Sequence, residues 1–211
     1  MAEHDSSKVR PTQWWQQIAR RIRVPLGFVM AAVFLATAAS RPPQPWAIAV
    51  SLALVLPGLA LRGLASGTVK KNRELAVTGP YAYTRNPLYL GSALIAAGFA
   101  LALASWVVAL AMIAGFAAIY IPVIASEEQF LRGAFANFDA YCQRVPRFFP
   151  RLTPARLATG PQQDSSQPEA GFSWALYGKH REYNAALGAA LLYFCLIFLR
   201  PAVEVLLLRA R

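Results

Sequence analysis

The chain has 211 residues, 56% of them hydrophobic, and carries a formal net charge of +11 at pH 7. Its mean hydropathy of +0.38 is typical of a small polytopic membrane protein and argues against a soluble nucleic-acid-binding protein, although the isoelectric point is near 10.3. Between Val24 and Ala125 the only acidic residue is Glu74. Lipid-facing helices require such stretches, because the bilayer offers a charge no partner.

Cysteine and histidine are scarce in this chain. The two cysteines are Cys142 and Cys195, and the two histidines are His4 and His180. Neither pair has the spacing of a disulfide framework or of a metal-ligand motif. We therefore expect two unpaired structural thiols and no metal site.

The N-terminal segment, residues 1–23, begins polar and then becomes amphipathic. Trp14, Trp15, Ile18 and Ile22 recur at helical spacing, with arginines interspersed among them. This pattern predicts an interfacial helix on an anionic leaflet, with tryptophan at headgroup depth.

Two spans follow, at about Val24–Ser40 and about Trp46–Leu61, and a proline-rich turn separates them. Both are short for a hydrocarbon core of ~30 Å, which needs roughly 20 residues. Pro57-Gly58 is expected to weaken the end of the second span. A polar loop is predicted next, and it holds Arg62, Lys70, Lys71, Arg73 and Arg85.

The stretch from Leu88 to Ala125 is nearly continuous apolar sequence, about twice the length of one crossing. It predicts a helical hairpin whose two spans are joined near Ala104-Ser105-Trp106 and pack through small residues. Pro122 is expected to kink the second of these helices before it leaves the membrane.

The chain becomes amphipathic from Ser126 to Pro150, and residues 151–182 contain a linker or lid rich in Pro, Gln and Ser. A last apolar helix, about Tyr183–Leu199, is predicted to end at Arg200-Pro201, within a C-terminal unit of residues 183–211. With residues 24–150 as the membrane domain, the predicted fold class is all-α, a polytopic helical bundle of about five transmembrane helices.

Lysine and arginine concentrate in the N-terminus, in the loop after the second span and in residues 132–181. The positive-inside rule assigns these three regions to the cytoplasm. We therefore expect a protein of the inner or plasma membrane, with a cytoplasmic site and with the end of the chain outside.

Residues 78–91 lie where the basic loop meets the hairpin, and they read Thr-Gly-Pro-Tyr-Ala-Tyr-Thr-Arg-Asn-Pro-Leu-Tyr-Leu-Gly. Gly79-Pro80 predicts a turn, and Pro87 is well placed to open a helix. Folding the hairpin returns Glu127-Glu128 to the membrane face that carries this turn. The sequence therefore predicts that tyrosines, an arginine and two acids converge.

Such a group suits a ligand that is cationic in one part and anionic in another. A carboxylate can accept both hydroxyls of a ribose, tyrosine faces attract a cation, and Arg73 or Arg85 can pair with a ligand carboxylate. S-adenosylmethionine has all of these parts. The alternative needs no ligand: with Ser126 as N-cap, Glu127-Glu128 would be a solvated helix start, and the tyrosines would be interfacial-belt residues.

Three motifs between Arg73 and Pro150 resemble the isoprenylcysteine carboxyl methyltransferase and phospholipid methyltransferase group of membrane enzymes. The motifs are Gly79-Pro80-Tyr81 with Arg85-Asn86-Pro87-Leu88-Tyr89-Leu90-Gly91, then Glu127-Glu128 with Leu131 and Phe135, and then Tyr141 with Val145-Pro146-Arg147-Phe148-Phe149-Pro150. The resemblance implies S-adenosylmethionine bound at the cytoplasmic end of a helical bundle, while a lipid-bearing substrate arrives from the bilayer.

Carried over by position, the resemblance implies cofactor contacts from Arg73, Leu75, Tyr81, Asn86, Tyr89 and Glu127. Two positions depart from the pattern. Asn86 stands where the family usually has histidine, and asparagine cannot shuttle a proton at neutral pH. Val123 stands where the isoprenylcysteine enzymes have a substrate-binding arginine.

Two residues are the candidates for catalytic roles. Arg85 could replace the missing arginine from another direction. Glu128 could act as a general base if the acceptor were an amine, which must lose a proton, whereas a thiolate or carboxylate needs no base.

We therefore expect an S-adenosylmethionine-dependent membrane methyltransferase that acts on a lipophilic, isoprenylcysteine-like substrate, with membrane lipids as partners and neither nucleic acid nor metal. A phospholipid N-methyltransferase is the alternative enzyme, and a catalytically silent scaffold with the same fold is the alternative that is not an enzyme. Transport is disfavoured, because neither Pro57 nor Pro122 is accompanied by a charge.

Overall fold

The computed structural model describes residues 28–40, 44–69, 75–155 and 171–209, and their regular structure is helical. The helices are α1 (Phe28–Ser40), α2 (Pro45–Thr68), α3 (Pro87–Ala102), α4 (Trp106–Ala134), α5 (Phe138–Arg144), α6 (Trp174–Lys179) and α7 (Tyr183–Arg209). Within the described ranges, α2, α4 and α7 are long and apolar enough to cross a membrane, and α1 and α3 are shorter apolar helices. The predicted all-α membrane bundle is confirmed. The interfacial helix predicted within residues 1–23 lies outside the described residues.

The hairpin of α3 and α4 follows the prediction closely. Pro87 is the first residue of α3, and residues 103–105 separate the two helices. Ala104 adopts a positive φ of 47° in this short connection. Pro122 lies inside α4.

Three predicted helix ends are wrong. The second apolar helix continues past Leu61 to Thr68, so Arg62 lies on α2 and not in a loop. Pro57 removes only one backbone hydrogen bond there, and the turns around it pack closely on α3. Similarly, α7 runs through Pro201 to Arg209, in a stretch rich in leucine, a strong helix former.

The third incorrectly predicted helix end is that of α4, beside the acidic pair Glu127-Glu128. Helix α4 does not stop near Ala125 but continues to Ala134, because Glu, Gln, Leu and Arg all favour helix once the apolar stretch is over. Ser126 is therefore a buried residue inside α4, not an N-cap. The reading of Glu127-Glu128 as the start of a helix is wrong.

Helices α2 and α3 approach each other through glycines. A Cβ atom on Gly91 would lie 2.7 Å from the carbonyl oxygen of Gly58, and one on Gly98 would lie 2.6 Å from Val55 Cγ2. Neither position has room for a side chain without separating the backbones. Small residues at positions 91 and 98 were expected to pack α3 against α4, but the structure uses both of them to pack α3 against α2.

The core of the bundle joins α1, α2, α3 and α7. Phe34 of α1 packs edge-on against Phe99 of α3, with ring centroids 5.3 Å apart. Val55 of α2 and Leu196 of α7 are almost completely buried in the same cluster. This core holds the walls that enclose the cavities described below.

A separate small core fixes the polar end of the bundle. Phe138, Tyr141 and Val145 are buried together and pack on Leu75 and on the end of α4. The Tyr141 hydroxyl donates a hydrogen bond of 2.8 Å to the backbone oxygen of Tyr81. This contact ties α5 to the turn that precedes α3.

Candidate functional site

The turn before α3 is held by the segment that follows α5. The backbone N–H of Arg85 donates to the oxygen of Pro146 over 2.9 Å, and that of Arg151 donates to the oxygen of Tyr83 over 3.0 Å. Gly79 begins the turn with a φ of +58°, a conformation that favours glycine. The two motifs that the sequence analysis singled out around positions 80 and 147 are therefore one structural unit.

A polar cavity of about 810 Å³ lies between this turn, α2, the start of α3, the end of α4 and α5. Its size falls within the range of ligand sites, roughly 300–1,000 Å³. Every predicted site residue that the structure describes contributes to its wall: Leu75, Tyr81, Arg85, Asn86, Tyr89, Glu127 and Glu128. Arg73 lies outside the described residues.

The hairpin brings Tyr89 and Glu127 together across 38 positions of sequence. The Tyr89 hydroxyl donates a hydrogen bond of 2.7 Å to Glu127 Oε1. Glu127 is exposed to the cavity side and forms no ion pair among the described residues. It therefore keeps an oxygen that can accept further hydrogen bonds.

Glu128, the next residue, is in the opposite situation. Its carboxylate lies 3.3 Å from Arg85 Nη1 and 2.9 Å from Arg147 Nη2, and only 12% of its side chain is exposed. Two guanidinium groups thus compensate one shielded carboxylate. This arrangement fixes Glu128 and leaves it few open acceptor positions.

Arg85 bridges Glu128 and Cys142. Its Nη1 atom donates to Cys142 Sγ over 2.8 Å as well as facing Glu128. The Nε atom of Arg85 is buried and has no hydrogen-bond partner among the described residues. Because buried donors are rarely left unpaired, the guanidinium of Arg85 has capacity for another acceptor.

Tyr81 supplies a neutral phenol to the cavity wall. Burial raises the pKa of its hydroxyl well above the usual value, and the negative charges of Glu127 and Glu182 raise it further. All of these influences disfavour the phenolate. Tyr81 therefore remains a hydrogen-bond donor and an electron-rich face across the physiological pH range.

The two positions that depart from the resembling enzymes have structural explanations here. Asn86 is buried, and its Nδ2 atom donates a hydrogen bond of 2.9 Å to the backbone oxygen of Arg147. Val123 is 2% exposed and contributes an apolar surface to the cavity wall. Asn86 thus fastens the turn, and Val123 supplies no charge.

Two charged residues of the cavity wall were missed from the sequence, Arg62 and Glu182. Arg62 Nη2 lies 2.8 Å and Nε 3.1 Å from Glu182 Oε2, and Nη1 donates to Ser92 Oγ. Arg62 had been assigned to a loop and Glu182 to the linker or lid. A usable signal existed, since Glu182 is an isolated acid directly before an apolar helix.

An apolar cavity of about 360 Å³ adjoins the polar one on the bundle side, between α1, α3, α4 and α7. Arg62, Ser92 and Tyr120 line both cavities. The remaining wall of the apolar cavity consists mostly of aliphatic, aromatic and small residues, among them Ile95, Phe99, Met112, Gly115, Ile119 and Leu192. A polar chamber and an apolar one therefore meet at one place.

No group of three His, Cys, Asp or Glu side chains within the described ranges is arranged to hold a metal ion. His180, at the end of α6, forms a hydrogen bond of 2.9 Å between Nδ1 and the backbone oxygen of Ser66.

Known proteins are similar to part of this chain. The family model described as phospholipid methyltransferase matches residues 45–137. The cobalt-zinc-cadmium resistance protein CzcN of Cupriavidus metallidurans is 34% identical over 139 residues, which are 62% of each chain. The nickel-cobalt-cadmium resistance protein NccN of Alcaligenes xylosoxydans xylosoxydans is 39% identical over 84 residues, 40% of this chain and 39% of that one. The matches thus span less than two thirds of these relatives. No solved structure matches the chain significantly.

Proposed function

We propose that the chain is an integral membrane methyltransferase that uses S-adenosylmethionine, because its residues 45–137 match the family model described as phospholipid methyltransferase. The proposal includes a cofactor site in the polar cavity, facing the cytoplasm, and a lipophilic acceptor that enters from the bilayer. The observation that carries it is the junction of the polar and apolar cavities at Arg62, Ser92 and Tyr120. A methyl donor and a lipid need two such adjoining chambers.

The chemistry of the polar wall fits the cofactor. Glu127 has an open carboxylate oxygen for the ribose hydroxyls, and its hydrogen bond from Tyr89 orients it. Tyr81 and Tyr89 offer aromatic faces to a sulfonium cation. Arg85 lines the cavity, and its guanidinium can pair with the carboxylate of the amino acid part. Leu75 and Asn86 complete the wall, and Arg73 remains a predicted contact outside the described residues.

When bound, the cofactor would supply an electrophilic methyl group for transfer to the acceptor, and Tyr81, Arg85, Tyr89 and Glu127 are the residues that would hold it. The chain's own part is to hold the acceptor in line and to keep water away from it. Val123 contributes to that exclusion, because it presents a buried apolar surface to the cavity.

We assign Glu128 to positioning rather than to proton removal. Arg85 and Arg147 already contact both of its oxygens, so few acceptor positions are left for the proton of an incoming amine. An acceptor that is already deprotonated needs no such step. The isoprenylcysteine-like reading, in which the acceptor is a carboxylate, is therefore favoured over methylation of an amine head group.

Methylation of a phospholipid head group remains the second candidate, since the matching family model carries that description. The names of the two relatives refer to metal resistance and identify no acceptor. Lipid extracts from cells with and without the gene, compared by mass spectrometry, distinguish the two candidates. A methylated amine head group would favour the second, and a methyl ester the first.

Calorimetry on the detergent-purified full chain tests cofactor binding. We expect S-adenosylhomocysteine to bind with micromolar affinity, and Glu127→Gln and Tyr89→Ala each to weaken binding at least about tenfold, the loss expected for a hydrogen bond to a charged group. Gln129→Ala is the matched control, because Gln129 is exposed on the same turn of α4. Absence of binding by the unmodified protein would favour the silent scaffold.

A further inference from the structure

Arg62 lies at the boundary between the two chambers. It lines both cavities, and it is the only charged residue among the described residues that line the apolar one. The bulk of that lining could accept only hydrocarbon. Within the described part of the chain, a molecule that fills the apolar cavity therefore meets one charge, that of Arg62, at the end that opens toward the polar cavity.

The guanidinium of Arg62 is preorganised but not saturated. Of its donor atoms, Nε and Nη2 bond to the carboxylate of Glu182, and Nη1 uses one of its two N–H groups to bond to Ser92. A second Nη1 donor has no partner among the described residues. The side chain of Arg62 is 24% exposed, whereas that of Glu182 is 13% exposed, so Arg62 is the more accessible partner.

The ion pair between Arg62 and Glu182 contributes little free energy to the stability of the fold, compared with what its desolvation costs. Ion pairs shielded from water lose much of their Coulomb energy to desolvation and are weak sources of stability. Glu182 reaches Arg62 from 120 positions away, at the start of α7. Binding of a ligand therefore explains better than fold stability why a guanidinium is held in place at the end of this cavity.

We propose that Arg62 selects the head group of the substrate, by binding the oxyanion of an amphiphile whose single hydrocarbon chain fills the apolar cavity. The inference rests on the proposed function. It assigns the binding of a substrate oxyanion to Arg62 of α2, because Val123 has no charge with which to bind one. Glu182 holds the guanidinium in place and competes with the oxyanion for it. A cavity of about 360 Å³ is near the lower limit for ligand sites, roughly 300 Å³, which suits one chain rather than two.

Photo-crosslinking of the full chain in phosphatidylcholine nanodiscs tests the proposal. The probes are diazirine derivatives of palmitic acid, hexadecyl phosphate and hexadecanol, used in mildly alkaline buffer so that both acids are ionised. Labelling of peptides from α4 and α7, measured against probe concentration, gives an apparent affinity for each. We expect at least one acidic probe to bind about tenfold or more tightly than the alcohol, as for a charge-assisted hydrogen bond. The tighter acid identifies the head as carboxylate or phosphate.

Two variants separate recognition from support of the fold. Arg62→Gln combined with Glu182→Gln keeps a neutral hydrogen-bonded pair, and it should abolish the preference for acids while the alcohol binds as before. Glu182→Gln alone should tighten binding of the acids, because it removes the competitor. A structural role for Arg62 would give the same loss for all three probes in both variants.

The proposal is overturned if the unmodified protein shows no preference for acids, or if the preference survives in the double variant. Calorimetry with S-adenosylhomocysteine on the unmodified protein reports separately on the proposed function. Cofactor binding without any preference for acids would therefore reject only the role of Arg62.

Discussion

The polar and apolar cavities share a boundary but are built on different principles. The polar wall comes from distant parts of the chain, and charged contacts such as Glu128 with Arg85 and Arg147 hold it. The apolar wall comes from helices that pack through small and aliphatic residues. The polar wall should therefore be sensitive to the loss of one charge, and ligand binding in the apolar cavity should be sensitive to larger side chains in its wall.

The largest effect is expected from Glu128→Gln. This change leaves Arg85 and Arg147 without a compensating carboxylate in a shielded place, so the free energy of unfolding should fall by about 2 kcal/mol. Glu127→Gln is the matched control, since Glu127 is exposed and unpaired with any described cation, and its effect should stay within about 0.5 kcal/mol. Thermal unfolding in detergent, followed by tryptophan fluorescence, measures both. Equal losses would contradict the different roles of the two acids.

A smaller effect, on ligand binding only, is expected when the apolar cavity is filled. Among the described residues, a Cβ atom on Gly115 would contact only Met30 Sδ, at 3.8 Å, so Gly115→Phe should place its ring in the cavity. Labelling by the diazirine probes should fall at least about tenfold, since burial of each methylene is worth ~0.8 kcal/mol, while calorimetry should show unchanged binding of S-adenosylhomocysteine. Gly133→Phe is the control, because the space around Gly133 is open. If both variants lost labelling equally, the cavity would not be the binding place.

The smallest effect concerns alkaline pH. The pKa of Tyr81 is raised in the folded protein by burial and by Glu127 and Glu182, whereas an unfolded tyrosine ionises near pH ~10. Stability from this group is therefore complete below pH ~10 and is lost as the pH rises above it, at no more than about 1.4 kcal/mol per pH unit.

Tyr81→Phe should make the alkaline fall in stability less steep. Thermal unfolding over a pH series checks this, and Tyr83→Phe serves as control, since Tyr83 is 36% exposed. An unchanged slope in Tyr81→Phe would mean that Tyr81 is not shielded.

Local chemistry allowed several predictions from the sequence. Pro87 opens α3 because proline is favoured at the first position of a helix. The length of the apolar stretch after it required two crossings, so the return of Glu127 toward Tyr89 followed from the bilayer's thickness. The helix ends were less predictable, since α2 continues well past Pro57 and α7 continues through Pro201.

The contacts between distant charges could not be predicted in the same way. Nothing in the sequence near Arg62 indicates Glu182, and nothing near Glu128 indicates Arg147 as well as Arg85. Such pairs depend on which helix faces meet, and those faces are set by close approaches such as that of Gly58 to Gly91.

By itself the sequence determined an all-helical membrane protein with an α3–α4 hairpin and a turn rich in tyrosine and arginine beside two acids. The length of an apolar stretch and the residue types of a turn are local properties, so they can be predicted directly from the sequence. Only the tertiary structure decided that Glu127 is open while Glu128 is doubly paired, and that Arg62 joins a polar chamber to an apolar one. Those facts depend on packing between segments far apart in the chain, which no local pattern encodes.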